Sequence, residues 1–584
     1  MHYRFYEEKK MTVDTHLGEI APSSHTSMDS AVQTLTEHKD AWIRTPLATR
    51  LAIIDTLITD FASLAQRWVA AIAQAKGLDE HDPLVSEDWG GGAWPVLLTL
   101  RQLRQVLSDI QQDGHPHIPG PVVTRPDGQV TAQVFPFRPY DRVLFPGVTA
   151  EVWMQPGVTV ERLPDTQAIS YQTKEQEGKL ALVLGAGNVA SIGPLDLLYK
   201  LFVENRVVLY KANPVNAYLG PLLTEAFRAL IKPGFLDIVY GGADEGSYLC
   251  QHPGIDEIHI TGSDKTFEAI VFGTGEEGEQ RKASGQSLLT KPITGELGNV
   301  SPVIIVPGPW SQKDIAYQAE HLVSSVANNE GFNCNATRVI IQQRNWTQRT
   351  QLLKQMRHIF AQLPSRPAYY PGARERQQRF LAAHPEAELF GQQDQTLLPW
   401  TFIPDVPANQ SDDICFTTEA FCSLCAETAL EASTIVEYIQ KAVTFANQQL
   451  WGTLNVTLIV HPATLKLPGV AAAIDQAIAD LRYGTIGVNY WAGTSFVISV
   501  TPWGAFPGHS IEDIQSGNGI VHNTLMFSQL QKCVLRAPFR SLMTPPWFVS
   551  QNKVAYKLFK KLTYFETAPS WRKLLDIAAT AMGR

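Results

Sequence analysis

Between residues 179 and 262, short apolar runs alternate with segments whose apolar residues recur at helical spacing. The strand-like runs are KLALVLGAG (179–187), RVVLYKAN (206–213), LDIVYGG (236–242) and IDEIHITG (255–262). Helical patterns at 194–205 and 218–234 separate the first three of them. Strands that alternate with helices in this way form βαβ units, which build a parallel sheet. The sequence therefore predicts an α/β fold, and a second alternating region extends it from about residue 300 to about 500.

The segments before this region have different patterns. Residues 1–27 are polar and irregular, which predicts a loose tail, and residues 28–112 have helical spacing. A stretch rich in Gly, Trp and Pro at 87–95 is expected to interrupt these helices. Alternating apolar residues at 129–162, separated by Pro and Gly, predict strands or a hairpin.

Composition excludes several classes of protein. The chain has 584 residues and a formal net charge of −9, and 18% of its residues are charged. A disordered chain would have fewer apolar residues and a larger net charge, and a nucleic-acid binder driven by bulk charge would be basic. Six cysteines are too few for a disulfide framework, which predicts a reducing compartment. With neither a signal-peptide core nor a membrane-length apolar run, the sequence predicts a soluble, cytoplasmic protein.

One glycine pattern resembles a dinucleotide-binding fingerprint. GAGNVA (185–190) follows a strand pattern and precedes a helical one. The acidic residue that such a fingerprint needs about 20 residues later is missing, because Tyr210 and Lys211 occupy that position. A standard pyrophosphate loop is therefore the less favoured interpretation.

Two residues are candidates for catalysis when judged from their local sequence alone. Cys334 lies in the polar stretch NNEGFNCNATRV, where it could be a nucleophile or a buried structural thiol. Glu296 lies in TGELGNVSP, where it could be a general base or a capping carboxylate. The residues alone leave both alternatives open.

Six segments, in order, resemble motifs of the aldehyde dehydrogenase superfamily. ITGELGNVSPVIIV is similar to its glutamate motif, and NNEGFNCNATRV is similar to its cysteine motif. Asn188 and Lys211 stand 23 residues apart, as in the family's segment from an asparagine to a cofactor-binding lysine. ITGS (260–263), TEAFCSLC (418–425) and YGTIGVNYW (483–491) resemble three further motifs. The chain is therefore identified as a divergent member of that superfamily.

The resemblance implies a three-part architecture. It has a Rossmann-like domain that binds NAD or NADP, an α/β catalytic domain and a β oligomerisation arm. On this sequence the cofactor domain would span 28–295, with the arm near 129–162, and the catalytic domain would span 296–500. Residues 501–584 would form a C-terminal segment with a basic amphipathic tail. A homodimer or homotetramer is expected.

The resemblance also implies the chemistry. Cys334 would attack an aldehyde, and Asn188 with the Cys334 backbone N–H would stabilise the oxyanion. The resulting thiohemiacetal would be oxidised to a thioester, which Glu296 would hydrolyse by activating water. The product is a carboxylate.

The remaining motif residues would hold the cofactor. By the resemblance, Lys211 and Glu419 would bind its ribose hydroxyls and Phe421 would pack on the nicotinamide. Gly262 and Ser263 would lie near the pyrophosphate at a helix N-terminus. No metal site is predicted.

Departures from the family pattern keep alternatives open. Pro214 stands where the family commonly has a ribose-binding glutamate; without that carboxylate NADP becomes possible as well as NAD. The second Gly of the glutamate motif is Asn299, and the Gln near the cysteine is Phe332. There are two alternative functions. The protein could be an acyl-CoA or acyl-thioester reductase of the same superfamily, or a non-catalytic relative that acts as a binding protein.

The end of the chain is basic. From residue 531 onward it has ten Lys or Arg and two acidic residues. Apolar residues recur at helical spacing through 553–565, between lysines. Such a helix could touch an anionic membrane surface, but docking on its own protein is the favoured interpretation.

Overall fold

The computed structural model describes residues 20–173 and 176–582. The predicted loose tail falls mainly on residues 1–19, which lie outside the described residues. A helix begins at His25, capped by the Ser24 side chain, which accepts the backbone N–H of Ser27. The end of the predicted tail is therefore helical.

The α-helices, single turns included, are α1 (His25–Arg44), α2 (Leu47–Ala75), α3 (Ser86–Asp88), α4 (Trp94–Asp113), α5 (Asp141–Leu144), α6 (Ile169–Gln172), α7 (Ile192–Leu198), α8 (Gly220–Ala226), α9 (Arg228–Ile231), α10 (Ala243–Gln251), α11 (Asp264–Phe272), α12 (Gly275–Ala283), α13 (Gln312–Ala327), α14 (Arg349–Phe360), α15 (Ala373–Ala383), α16 (Ile414–Thr417), α17 (Ile435–Gln449), α18 (Pro462–Leu465), α19 (Val470–Asp480), α20 (Thr494–Ile498), α21 (Asn552–Phe565) and α22 (Trp571–Ala581). The strands are β1 (Val122–Thr124), β2 (Val130–Phe135), β3 (Thr149–Met154), β4 (Leu180–Leu184), β5 (Val207–Lys211), β6 (Leu236–Val239), β7 (Glu257–Gly262), β8 (Ile293–Leu297), β9 (Pro302–Ile305), β10 (Val339–Gln343), β11 (Arg366–Pro367), β12 (Glu388–Phe390), β13 (Leu397–Leu398), β14 (Trp400–Ile403), β15 (Leu424–Leu430), β16 (Asn455–Ile459), β17 (Thr485–Val488), β18 (Pro502–Gly504), β19 (Ile520–His522) and β20 (Leu530–Arg536).

Strands β4 to β8 form a parallel five-stranded sheet in the order β6-β5-β4-β7-β8. The predicted parallel α/β architecture is confirmed. The strand order reverses between β4 and β7, because β5 and β6 lie on one side of β4 while β7 and β8 lie on the other. In sheets of this kind ligands bind at the carboxyl ends of the strands beside that switch point.

The second sheet has eleven strands in the order β1-β2-β3-β20-β17-β16-β9-β10-β15-β14-β12. Strand β20 pairs with β17 in parallel and with β3 antiparallel. The predicted C-terminal segment thus contributes a strand to the interior of this sheet and pairs with the predicted arm. The exact division of the chain into domains stays a prediction.

The stretch rich in Gly, Trp and Pro does not break the helices as expected. Residues Trp89–Ala93 form a π-helical turn that continues directly into α4. A Cβ on Gly90 would lie 2.9 Å from the ring of Phe559, so the glycine lets α21 pack closely. The sequence prediction was wrong because this glycine permits a distant contact rather than a turn.

The C-terminal helices pack on the protein's own surface. Leu558, Leu562 and Phe565 of α21 and Leu574 and Ile577 of α22 join Trp94 and Leu98 of α4 in one buried cluster. The apolar face of 553–565 is therefore covered, as the docked interpretation requires. Among the helices of the described residues, none is long and apolar enough to span a bilayer.

A buried ion pair fixes the connection between these two helices. Glu566 is fully buried, and its two carboxylate oxygens accept hydrogen bonds from Arg138 at 2.6 and 3.1 Å. Arg101 donates to the backbone carbonyls of Glu566 and Thr567. Glu566 at the end of α21 is therefore attached to the body of the protein through two arginines.

We expect Glu566→Ala to destabilise the chain by about 3–5 kcal/mol, because it leaves the Arg138 guanidinium buried without its main partner. The control is Glu225→Ala, which removes an ion pair with Arg67 in which both side chains are more than half exposed. That loss should cost below about 1 kcal/mol. Thermal and denaturant unfolding of the full chain measure both, and equal effects would contradict the anchoring role of Glu566.

Candidate active site

Two cavities meet at Cys334 and Asn188. The larger has a volume of about 980 Å³ and lies over the carboxyl ends of β4, β5 and β7. The smaller, of about 190 Å³, lies on the other side of the cysteine. Every site residue predicted from the sequence lines the larger cavity: Asn188, Lys211, Gly262, Ser263, Glu296, Cys334, Glu419 and Phe421.

The loop before Cys334 has an unusual backbone. After α13 ends, Asn329, Glu330 and Gly331 follow one another with φ values of 50°, 56° and 76°. Positive φ costs a non-glycine residue about 1–3 kcal/mol unless its surroundings hold it, and such strain is concentrated at functional sites. The Asn329 side chain helps to hold this loop by donating to the Asn188 carbonyl at 2.9 Å.

Arg338 joins this loop to a second one. Its guanidinium donates to the carbonyls of Cys422 at 2.7 Å and Leu424 at 3.1 Å, and also to that of Gly331. Arg338 is buried, so these bonds replace its hydration. The cysteine loop and the segment that carries Glu419 and Phe421 are thereby fixed relative to each other.

Asn188 lies directly against the cysteine loop. Its side-chain amide donates to the Phe332 carbonyl at 2.8 Å. An amide nitrogen carries two hydrogens, so one remains for a ligand beside the thiol. This is the position that an oxyanion donor needs, since Asn188 and Cys334 line both cavities.

Glu296 is buried near the end of β8, and its Oε1 accepts a hydrogen bond from Trp503 Nε1 at 3.0 Å. Burial and the negative charge of Asp196 raise the pKa of Glu296 to about 8. Trp503 and Asp196 were not among the predicted site residues. No local pattern could have found Trp503, which is 207 positions away from Glu296.

Glu419 approaches the turn after β8. Its Oε1 accepts the backbone N–H of Asn299 at 3.3 Å, and a Cβ on Gly298 would lie 2.0 Å from Oε2. Glycine at 298 is therefore required. Burial raises the pKa of Glu419 to about 7 against the opposing charge of Arg338. The departure at Asn299 has a structural use, because its amide donates to Ser301 and to the Asn455 carbonyl.

The other predicted cofactor residues lie around the larger cavity. Lys211 ends β5, and burial lowers its pKa. Gly262 ends β7, and the Ser263 hydroxyl caps α11 by accepting the Thr266 N–H at 3.1 Å. The Phe421 ring packs against that of Tyr370, with 5.0 Å between centroids.

The glycines of GAGNVA make room for the protein's own side chains. A Cβ on Gly185 would lie 2.4 Å from the Tyr210 hydroxyl, and one on Gly187 would lie 2.6 Å from Asn213 Oδ1. Both glycines are thus explained by packing against the next strand and its loop. This agrees with the expectation that the segment is not a standard pyrophosphate loop.

The surroundings of the Cys334 thiol favour its protonated form. Cys334 is half-buried, and loss of solvent together with the charges of Glu296 and Glu419 raises its pKa well above the usual value. The other five cysteines are buried and free. Cys334 is therefore the thiol that small reagents reach most readily, and it needs a base to become a nucleophile.

Part of the chain matches known proteins in sequence. Residues 195–379, which include Lys211, Glu296 and Cys334, match the model of the aldehyde dehydrogenase family. The human 4-trimethylaminobutyraldehyde dehydrogenase is 32% identical over 137 residues, which are 23% of this chain and 24% of that protein. Aldehyde dehydrogenase LUC3 of Fusarium sp. is 28% identical over 182 residues, 30% of this chain and 36% of that protein. The chain thus matches only a quarter to a third of the length of these curated relatives.

The likeness of fold extends much further. A Mycobacterium tuberculosis aldehyde dehydrogenase complexed with NAD+ superposes with a TM-score of 0.59 and 17% identity, covering 90% of this chain and 92% of that one. For the NADP-dependent glyceraldehyde-3-phosphate dehydrogenase from Bacillus halodurans, complexed with NADP, the TM-score is 0.57 at 17% identity. That superposition covers 88% of this chain and 91% of that one. The chain therefore has the fold of these aldehyde dehydrogenases, and residues 195–379 resemble the aldehyde dehydrogenase family in sequence.

We expect Glu296→Gln to speed the alkylation of Cys334 by iodoacetamide about fivefold to tenfold at pH 9. At that pH solvent, rather than Glu296, sets the fraction of Cys334 that is deprotonated. The Glu296 carboxylate is then ionised, and removing its charge lowers the pKa of the thiol and increases the thiolate fraction. At pH 6.5, where Glu296 is mostly protonated, the two proteins should react alike.

Mass spectrometry of the Cys334 peptide measures the rate. Glu225→Gln, an exposed carboxylate paired with Arg67, is the control and should leave the rate unchanged. A rate that is the same in Glu296→Gln and the unaltered protein at pH 9 would show that the two groups are not coupled.

Proposed function

We propose that this protein oxidises an aldehyde to a carboxylate with NAD or NADP, through a covalent intermediate on Cys334. The observation that carries the proposal is the place of Cys334, where two cavities meet beside Asn188 and Glu296. One cavity can bring a cofactor to the thiol and the other a substrate. The family and the fold support the same reaction.

The larger cavity fits a dinucleotide. It lies at the switch point of the parallel sheet and has the volume of a cofactor site. Lys211 offers a donor for ribose hydroxyls, and the N-terminus of α11 behind Ser263 offers backbone N–H groups for phosphate. Pro214 brings no carboxylate to the ribose, so both NAD and NADP are accommodated. When bound, the nicotinamide supplies the hydride acceptor.

The chain's own residues do the remaining chemistry. Glu296, with a pKa of about 8, takes the proton of Cys334, and the thiolate adds to the aldehyde carbon. The Asn188 amide and the Cys334 backbone N–H hold the oxygen of the thiohemiacetal. Once this adduct is oxidised to a thioester and Glu296 has released its first proton to solvent, Glu296 removes a proton from water and the hydroxide adds to the thioester carbon. The carbon–sulfur bond then breaks, the carboxylate leaves, and the Cys334 thiolate takes a proton back from Glu296.

The association and location of the protein also belong to this proposal. We place it in the cytoplasm, since six free cysteines fit a reducing compartment. We propose a homodimer or homotetramer, because β1 forms an edge of the large sheet and exposes Val123. Sedimentation of the full chain tests this, and a monomer at micromolar concentration would reject it.

We expect Cys334→Ala to form no NADH or NADPH from any aldehyde, because the nucleophile is gone. The variant should still bind the cofactor as the unaltered chain does, which calorimetric titration with NAD and NADP measures. Aldehyde-dependent cofactor reduction in Cys334→Ala would overturn the mechanism. Turnover that needs coenzyme A, or an acyl-CoA with reduced cofactor, would instead favour the reductase, and the absence of any cofactor binding would favour the non-catalytic relative.

We expect the hydrolysis of the thioester to become faster as the pH rises through about 8, because only ionised Glu296 activates water. Single-turnover measurements of acyl-enzyme decay isolate this step, since Cys334 no longer titrates as a thioester. In Glu296→Gln the decay should be about 10²–10⁴-fold slower and lose this pH dependence. If the variant keeps the same pH profile, another group is the base.

A further inference from the structure

The smaller cavity has a polar end and an apolar end. Near Cys334 it is lined by Asn188 and Asn329, and the Lys76 ammonium lies 2.8 Å from Asn329 Oδ1. Lys76 is also paired with the Asp88 carboxylate at 2.6 Å. These polar groups are bonded to one another near the thiol. The lining away from them is mainly aliphatic and aromatic.

The last two helices form one wall of this cavity. Leu558 and Leu562 of α21 and Ile577, Ala578 and Ala581 of α22 line it. The glycines of the π-helical turn also line it, and Gly90 packs closely against Phe559 of α21. The cavity is therefore enclosed by a part of the chain that matches none of the superfamily motifs.

This wall is fixed rather than loose. The buried Arg138–Glu566 pair holds the end of α21. Lys561 on α21 contacts Asp576 and Thr580 on α22 at 2.7 and 2.8 Å, which joins the two helices. A fixed apolar wall distinguishes ligands by length and shape.

The apolar character continues to the outside. Leu542 is 87% exposed, and its neighbours Ser541 and Met543 both line the cavity. Trp571 and Leu575 of α22 are 57% and 72% exposed. Exposed apolar side chains therefore occur on the same segments that line the cavity.

We propose that α21 and α22 wall a tunnel that takes the hydrocarbon chain of a long aliphatic aldehyde, with Ala578 helping to set the length accepted. The volume of about 190 Å³ supports this. A water-sized group needs roughly 10–15 Å³ of such space, so the tunnel holds roughly a dozen or more methylene-sized groups. The proposal rests on the proposed oxidation of an aldehyde at Cys334 and names its substrate class.

The first test compares the kcat/KM of the full chain for butanal and for dodecanal. Because each buried methylene adds favourable burial, dodecanal should be preferred by about 100-fold or more. Ala578→Phe fills the tunnel and should lower kcat/KM for dodecanal about tenfold or more, while butanal changes less than about twofold. The matched control is Ala579→Phe, whose half-buried position on the same helix does not line the cavity. It should leave both values unchanged.

A second measurement does not depend on turnover. The fluorescent fatty acid 11-(dansylamino)undecanoic acid should bind the full chain, and dodecanoate should displace it far better than butyrate. Ala578→Phe should weaken this binding about tenfold and Ala579→Phe should not. Val554→Phe, which fills the tunnel from α21, repeats the test if Ala578→Phe does not fold.

The outcomes separate the two proposals. Probe binding that responds to Ala578→Phe, without oxidation of any aldehyde, would keep the tunnel and reject the proposed function. Oxidation of butanal and dodecanal with equal kcat/KM, unaffected by either tunnel variant, would keep the function and reject the tunnel. Equal effects of Ala578→Phe and Ala579→Phe would also reject it, because the helix would then act only through stability.

Discussion

The hydrogen bonds of Arg338 are the constraint on which the site depends. This buried guanidinium holds the carbonyls of Gly331, Cys422 and Leu424, so it joins the loop before Cys334 to the segment that carries Glu419. The same loop contains consecutive residues at positive φ, which stay in place only if their surroundings hold them. Without Arg338 the strained turn would have room to relax, and the thiol would lose its position between the two cavities. The chemistry of one side chain therefore depends on a residue that touches no predicted ligand.

Carboxyl groups around the thiol create an unusual electrostatic setting. Glu296 is buried and Glu419 is half-buried. Loss of solvent raises the pKa of both and of Asp196, and the charges of Asp196 and Glu419 raise that of Glu296 further. Near neutral pH these three groups carry only part of their full negative charge, because burial favours the protonated form of each. Because its carboxyl groups are partly protonated near neutral pH, the cavity can pass protons between thiol, carboxylate and water without a large change in net charge. The opposing contributions of Trp503 and Arg338 keep Glu296 and Glu419 close to the pH at which a base works best.

Local patterns in the sequence predicted the parallel sheet, and the resemblance to a known family predicted the site residues, which all line the larger cavity. Apolar runs that end in polar residues mark the carboxyl ends of strands, and the sheet then brings Lys211, Gly262 and Glu296 to one edge. Contacts between distant segments could not be found in this way. The Trp503 bond to Glu296 and the packing of Phe559 on Gly90 have no local signature. The expected helix break at 87–95 was wrong for the same reason, since a glycine that marks a turn and one that admits a neighbour look alike in sequence.

The position of β20 has a consequence for how the molecule is assembled. This strand inserts between β3 and β17, and only after it does the chain form the wall made by α21 and α22. A ribosome that has released every residue up to 500 has therefore supplied Cys334 and Glu296, but neither β20, which joins the β1-β2-β3 part of the large sheet to the rest, nor the enclosure of the tunnel. The large sheet and the cavity wall are therefore completed only when the carboxyl-terminal residues have been made. A nascent or prematurely ended chain carries Cys334 in an open, unfinished cavity.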